Sequence, residues 1–136
     1  MKYLTAFLVL ALAITDQALA QTEPTKTIAL YASAWGEPDE NKRRELLEAS
    51  FAEGGEYSDP TVWVEGREAL VQHIGGFLTQ NPGAKVHLLK PAEFHHEKYG
   101  RFDWIMQMAD GTVVIIGMDF VAFDDEGMIE QITGFF

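Results

Sequence analysis

The chain has 136 residues, a formal net charge of −11 and no cysteine. That acidity disfavours nucleic acid and anionic membrane surfaces as partners, and the missing cysteine excludes disulfides and thiol catalysis. Hydrophobic residues make up 47% of the chain, the proportion of a globular domain with its own core.

Residues 1–20 read as a signal peptide. Lys2 gives a basic start, Tyr3 to Ile14 form a short apolar run, and Ala18-Leu19-Ala20 is a small-x-small cleavage site before Gln21. The run falls short of the roughly 20 apolar residues a bilayer span takes. The expectation is an exported protein, periplasmic or secreted, with no membrane association after cleavage and one domain over residues 21–136.

The domain reads as three helices followed by strands. Ile28, Tyr31, Ala32 and Trp35 make one apolar stripe, predicting a helix from Thr25 to Trp35. Asp39 is placed to cap a second helix, Glu40 to Phe51, which Gly54-Gly55 ends. A short extended piece, Glu56 to Asp59, puts Tyr57 and Asp59 on one face before Pro60 stops pairing. The third helix runs from Arg67 to Thr79 and stops at Asn81-Pro82-Gly83. Four strands follow. The first, Val86 to Glu97, carries Pro91, a mark of an edge or a bulge. In the second, Arg101 to Met108, the residues Phe102, Trp104, Met106 and Met108 share a face. The third and fourth are Thr112 to Phe123 and Met128 to Phe136. Helices first and antiparallel strands after predict an α+β fold, three helices on one face of a curved sheet. The third of these strands is apolar on both faces, so its outer face needs a cover, and a second copy in a homodimer is the simplest one.

Two carboxyls stand out. Asp119 interrupts the apolar strand Val113 to Val121, where a carboxyl must be hydrogen-bonded, neutral or open to a cavity. Asp59 precedes Pro60 and is open to two readings: a turn-capping acceptor or a base. Tyr31 and Tyr57 are hydroxyl donors within reach of such a pair. Trp35, Trp63, Phe102, Trp104 and Met106 are candidates to line an apolar pocket, although as stripes they also serve a core. Of the four histidines, His73 falls on a helix stripe as a partly buried side chain, and His95-His96 sit at a hairpin turn. The chain has no H-x-x-x-H or H-E-x-x-H spacing, and no metal site is expected.

The segments Tyr31-Ala32-Ser33-Ala34-Trp35, Tyr57-Ser58-Asp59-Pro60, Gly66-Arg67-Glu68-Ala69-Leu70, Gly117-Met118-Asp119-Phe120 and Ile132-Thr133-Gly134-Phe135-Phe136 together resemble the nuclear transport factor 2-like superfamily, in its SnoaL-like and ketosteroid-isomerase-like branch. The resemblance implies a cone-shaped α+β barrel, mainly antiparallel, with an apolar pocket between helices and sheet. It implies Tyr31, Asp59 and Asp119 as catalytic residues for proton transfer alpha to a carbonyl, with one Asp as base and Tyr31 and the other Asp as donors to the enolate oxygen. No metal or organic cofactor is implied. The partner would be a hydrophobic small molecule. The rival expectation is a non-catalytic carrier of such a ligand, in which the same residues only anchor its polar end.

Overall fold

The computed structural model describes residues 23–136; the expected signal peptide lies outside the described residues. Three helices, α1 (Glu23–Ala34), α2 (Glu40–Glu48) and α3 (Arg67–Gln80), are joined by seven strands. These are β1 (Phe51–Ser58), β2 (Trp63–Glu65), β3 (Lys85–Leu88), β4 (Glu93–His95), β5 (Tyr99–Gln107), β6 (Val113–Phe123) and β7 (Ile129–Phe135). The strand order is β2-β1-β7-β6-β5-β3, with β4 also pairing β5. Every pairing is antiparallel except β1 with β7. The helices pack on one face of this curved sheet, so the expected α+β cone is the fold.

The helices form for the reasons their sequences give. The α1 stripe Ile28, Tyr31 and Ala32 is buried, as is Trp35 just beyond it. The Asp39 side chain accepts the Lys42 amide at 3.0 Å and caps α2. The second helix nevertheless stops earlier than expected. The Ala49 N–H donates to the Glu45 carbonyl and the Ser50 N–H to the Leu47 carbonyl, and Phe51 begins β1 instead. Gly55 sits inside the strand and not at a helix end. A Cβ there would come within 2.6 Å of the Phe51 ring, so the missing side chain is what lets Phe51 fold over its own strand into the core. The pairing of β1 with β7 is irregular across that stretch, between Phe51 and Glu56.

The long strand expected over Val86 to Glu97 is two strands. Both β3 and β4 run antiparallel to β5, and Pro91, which has no N–H to give a ladder, lies in the gap between them. On the outer face of the sheet, Val114, Ile116 and Phe135 are exposed, Ile116 at 69%.

Arg43 fastens the helical layer. It is buried, and its guanidinium meets carbonyls instead of a carboxylate. Nε donates to Val71 O at 3.0 Å, and Nη1 donates to Glu37 O at 2.7 Å and Pro38 O at 3.3 Å. It lies against Gly75, where a Cβ would approach Nη2 to 2.5 Å. One side chain thus joins α2, α3 and the turn after α1. Arg43→Ala leaves those carbonyls without their donor in a buried site, and the expected cost is about 3 kcal/mol, read as a lower urea midpoint with unchanged slope.

Candidate active site

Between α1, α3 and the inner sheet face lies a cavity of about 180 Å³. Tyr31 and Trp35 reach it from α1, Tyr57 and Asp59 from the end of β1, Phe102, Trp104 and Met106 from β5, and Asp119 from β6. All the site residues named from the sequence are on its wall except Trp63. In β2 the alternation turns Val64 inward, so Trp63 faces out and is 64% exposed. It belongs to the surface, not the pocket. Met108, on the same strand face as Met106, lies beyond the cavity.

Asp119 is 5% exposed. Its Oδ1 accepts the indole N–H of Trp104 at 2.7 Å. No other hydrogen bond to Asp119 is formed among the described residues, and no side-chain polar atom there is both sealed off and unpartnered. The second oxygen therefore opens onto the cavity. The ladder explains the contact. Phe102 is opposite Asp119 and Trp104 opposite Gly117, so Trp104 is the diagonal neighbour of the carboxyl. Gly117 makes it possible, since a Cβ there would sit 2.5 Å from the indole. Burial pushes the Asp119 carboxyl up, the Trp104 bond opposes this and the charge of Asp59 adds to it, with the result at about 7.

Asp59 is satisfied on both oxygens. Oδ1 accepts the Thr61 amide and hydroxyl at 2.7 Å each and the Val62 amide at 3.0 Å, and Oδ2 accepts the Tyr57 hydroxyl at 2.8 Å. Burial pushes this carboxyl up, but the Thr61, Tyr57 and Val62 hydrogen bonds outweigh it and hold it below the usual aspartate value. The turn-capping reading of Asp59 is thus realised, in a residue that also borders the cavity. Gly134, opposite Asp119 in β7, lies beside both acids: a Cβ there would be 3.1 Å from Asp119 Oδ1 and 3.7 Å from the Asp59 Cβ.

Tyr31 is 2% exposed and its hydroxyl is raised well above the ordinary tyrosine value. Burial is the main cause and the charge of Asp119 the next, with Tyr57 and Asp59 adding and the Trp35 N–H opposing. Tyr57 is raised by burial, then by its bond to Asp59 and that residue's charge. Both phenols stay protonated, and Tyr57 donates a hydrogen bond to Asp59. Among the described residues, no cluster of three or more metal-ligating side chains forms.

Sequence reasoning passed over His73, Phe77, Thr61, Val86, Ile115 and Phe136, which complete the wall. His73 was legible as a half-buried helix residue. What the stripe hides is that Leu70, Val71, Ile74 and Leu78 fill the core of α3, leaving His73 against the rings of Trp35 (6.0 Å) and Tyr57 (5.9 Å). Phe136 stands edge-on to Trp104 at 5.7 Å, a contact no periodicity foretells. His96 is exposed, away from the cavity.

A candidate isomerase of the SnoaL-like family from Agrobacterium tumefaciens is 30% identical to this chain, with a TM-score of 0.78 over 85% of this chain and 97% of that one. A protein of unknown function with a cystatin-like fold from Methylobium petroleophilum superposes with a TM-score of 0.70 at 19% identity, over 86% and 77% of the two chains. A candidate SnoaL-like polyketide cyclase from Jannaschia sp. gives 0.67 at 15% identity, over 85% of each. No family model matches the sequence, and no curated protein matches it. The chain belongs to the SnoaL-like family, within the nuclear transport factor 2-like superfamily.

The raised Asp119 carboxyl makes stability depend on pH. The folded state binds this proton more tightly than the unfolded chain, so the contribution is fullest below about pH 4 and is lost as pH rises to about 7. Asparagine does not titrate and still offers Trp104 an oxygen. Asp119→Asn should therefore exceed wild type in stability above pH 7, at about 1.4 kcal/mol for each tenfold change in proton affinity, with the gap closing toward pH 4. Thermal unfolding at pH 4 and pH 8 reads this directly.

Proposed function

We propose that this protein is an isomerase- or cyclase-like enzyme that moves a proton next to a carbonyl inside an apolar cavity. The SnoaL-like relatives support the general role. The observation that carries the finer reading is the Asp119 carboxyl, with one oxygen fixed by Trp104, one open to the cavity, and a proton affinity near neutrality. A base matched to the working pH is the most effective proton shuttle.

In this mechanism the Asp119 carboxylate takes a proton from the carbon beside the substrate carbonyl. The C–H electron pair forms the enolate, and its oxygen accepts a hydrogen bond from the Tyr31 hydroxyl. The Asp119 carboxylic acid then returns the proton. It goes to a different carbon in an isomerisation, or to the alkoxide formed when the enolate attacks a second carbonyl in a cyclisation. Asp59 is the weaker shuttle, because hydrogen bonds on both oxygens hold its proton affinity low; its part is to orient Tyr57 and shape the Pro60 turn. A cavity of about 180 Å³ suits a one-ring or short-chain substrate, since sites for drug-sized molecules run to roughly 300–1,000 Å³.

With a β,γ-unsaturated ketone as substrate, kcat/KM should rise with pH through about 7 and then level, following ionisation of Asp119. Asp119→Asn should cost about 10²–10⁴-fold and Tyr31→Phe about 10²-fold, while Asp59→Asn should cost less than Asp119→Asn. A profile with no inflection near 7, or an Asp119→Asn variant as active as wild type, would sink this assignment. The second reading, a non-catalytic carrier of a hydrophobic small ligand, is favoured by the full engagement of Asp59 and leaves Asp119 and Tyr31 as anchors. It predicts a co-purified ligand and no turnover.

The protein is further proposed to be exported and dimeric. Export rests on the signal-like residues 1–20, and the dimer on the exposed apolar face of Val114, Ile116 and Phe135. Native mass spectrometry of the exported fraction should give twice the mass of a chain starting at Gln21, and Ile116→Lys should give the single mass.

A further inference from the structure

The cavity wall carries negative charge with no cation set against it. Asp59 is held ionised by its four hydrogen bonds, and Asp119 turns one oxygen into the space while 5% exposed. Neither acid takes part in an ion pair among the described residues, and no lysine or arginine is on the wall, where His73 is the one basic side chain. The rest of the lining is largely aromatic. Trp35 is the hub of one group, with ring centroids 5.3 Å from Tyr57 and 5.9 Å from Phe77. Trp104 and Phe136 form another, 5.7 Å apart.

These two features answer to one kind of ligand. Aromatic faces present negative potential and attract a cation whose shell is alkyl and poorly hydrated. Carboxylates near a low-dielectric cavity attract it further, more strongly than in water. A hydrocarbon with no polar end would fill the same space but gain nothing from the two acids. The overall charge of −11 also favours the approach of a cation.

We propose that the cavity binds a small organic ammonium ion, a tertiary or quaternary amine whose alkyl groups sit among the rings while its charge faces Asp119 and Asp59. The inference rests on the composition of the wall and stands whether or not Asp119 performs proton transfer. A bound cation would also stabilise the ionised form of Asp119 against the burial that raises it.

The test compares choline with 3,3-dimethyl-1-butanol, which has the same shape with carbon in place of the charged nitrogen. Calorimetric titration at about pH 8.5 and low salt, where Asp119 is ionised, should show saturable choline binding at least about tenfold tighter than the alcohol, weakening as salt is added. Asp119→Asn should narrow that preference. Equal affinity for the two probes, or no saturable binding of choline by wild type, overturns the proposal. A preference unchanged in Asp119→Asn would move the cation away from this cavity and overturn it as well.

Discussion

A carboxyl in the middle of an apolar strand needs a donor, and at Asp119 that donor is a single indole N–H. The cavity's architecture follows from meeting this need. The β5–β6 register sets Trp104 diagonally across from Asp119, and the bare backbone of Gly117 lets the indole approach β6 closely. With the ring fixed there, Phe136 gains an edge-on partner on the cavity wall. Because a single N–H engages a single oxygen, the other oxygen is left facing the cavity. A second donor would have made Asp119 another Asp59.

That comparison explains how two aspartates on one cavity wall come to differ. Asp59 sits at a turn, where backbone amides are plentiful and a neighbouring hydroxyl adds to them, so its charge is well solvated by the protein. Asp119 sits in a ladder whose amides are already committed to pairing, so only a side chain could serve it. The division follows from secondary structure: a turn supplies free amides and a central strand does not.

Much of this was legible in the sequence because it depends on periodicity. The α1 stripe, the inward face of Phe102, Trp104 and Met106, and the odd position of Asp119 follow from spacings of 3.6 and 2. The errors come where long-range contact overrides local pattern. Gly54-Gly55 reads as a helix break, yet Gly55 is the space into which Phe51 folds. Trp63 looks like a pocket aromatic until the short strand β2 fixes its parity and turns it outward. The role of Gly117 could not be read from the chain, because it depends on which residue of β5 lies opposite. His73 and Phe136 gain their meaning only from rings far away in sequence.

The parallel pairing of β1 with β7 carries a consequence for how the chain folds. Successive strands β5, β6 and β7 meet through hairpins, but Phe51 in β1 finds Ile129 in β7, with all of the intervening elements between them. Such non-local closure slows folding relative to helical proteins of similar size. It also makes the sheet incomplete until β7 has been synthesised, since β1 would otherwise have only the short β2 beside it. A chain built in this way keeps one edge of β1 unpaired until β7 arrives.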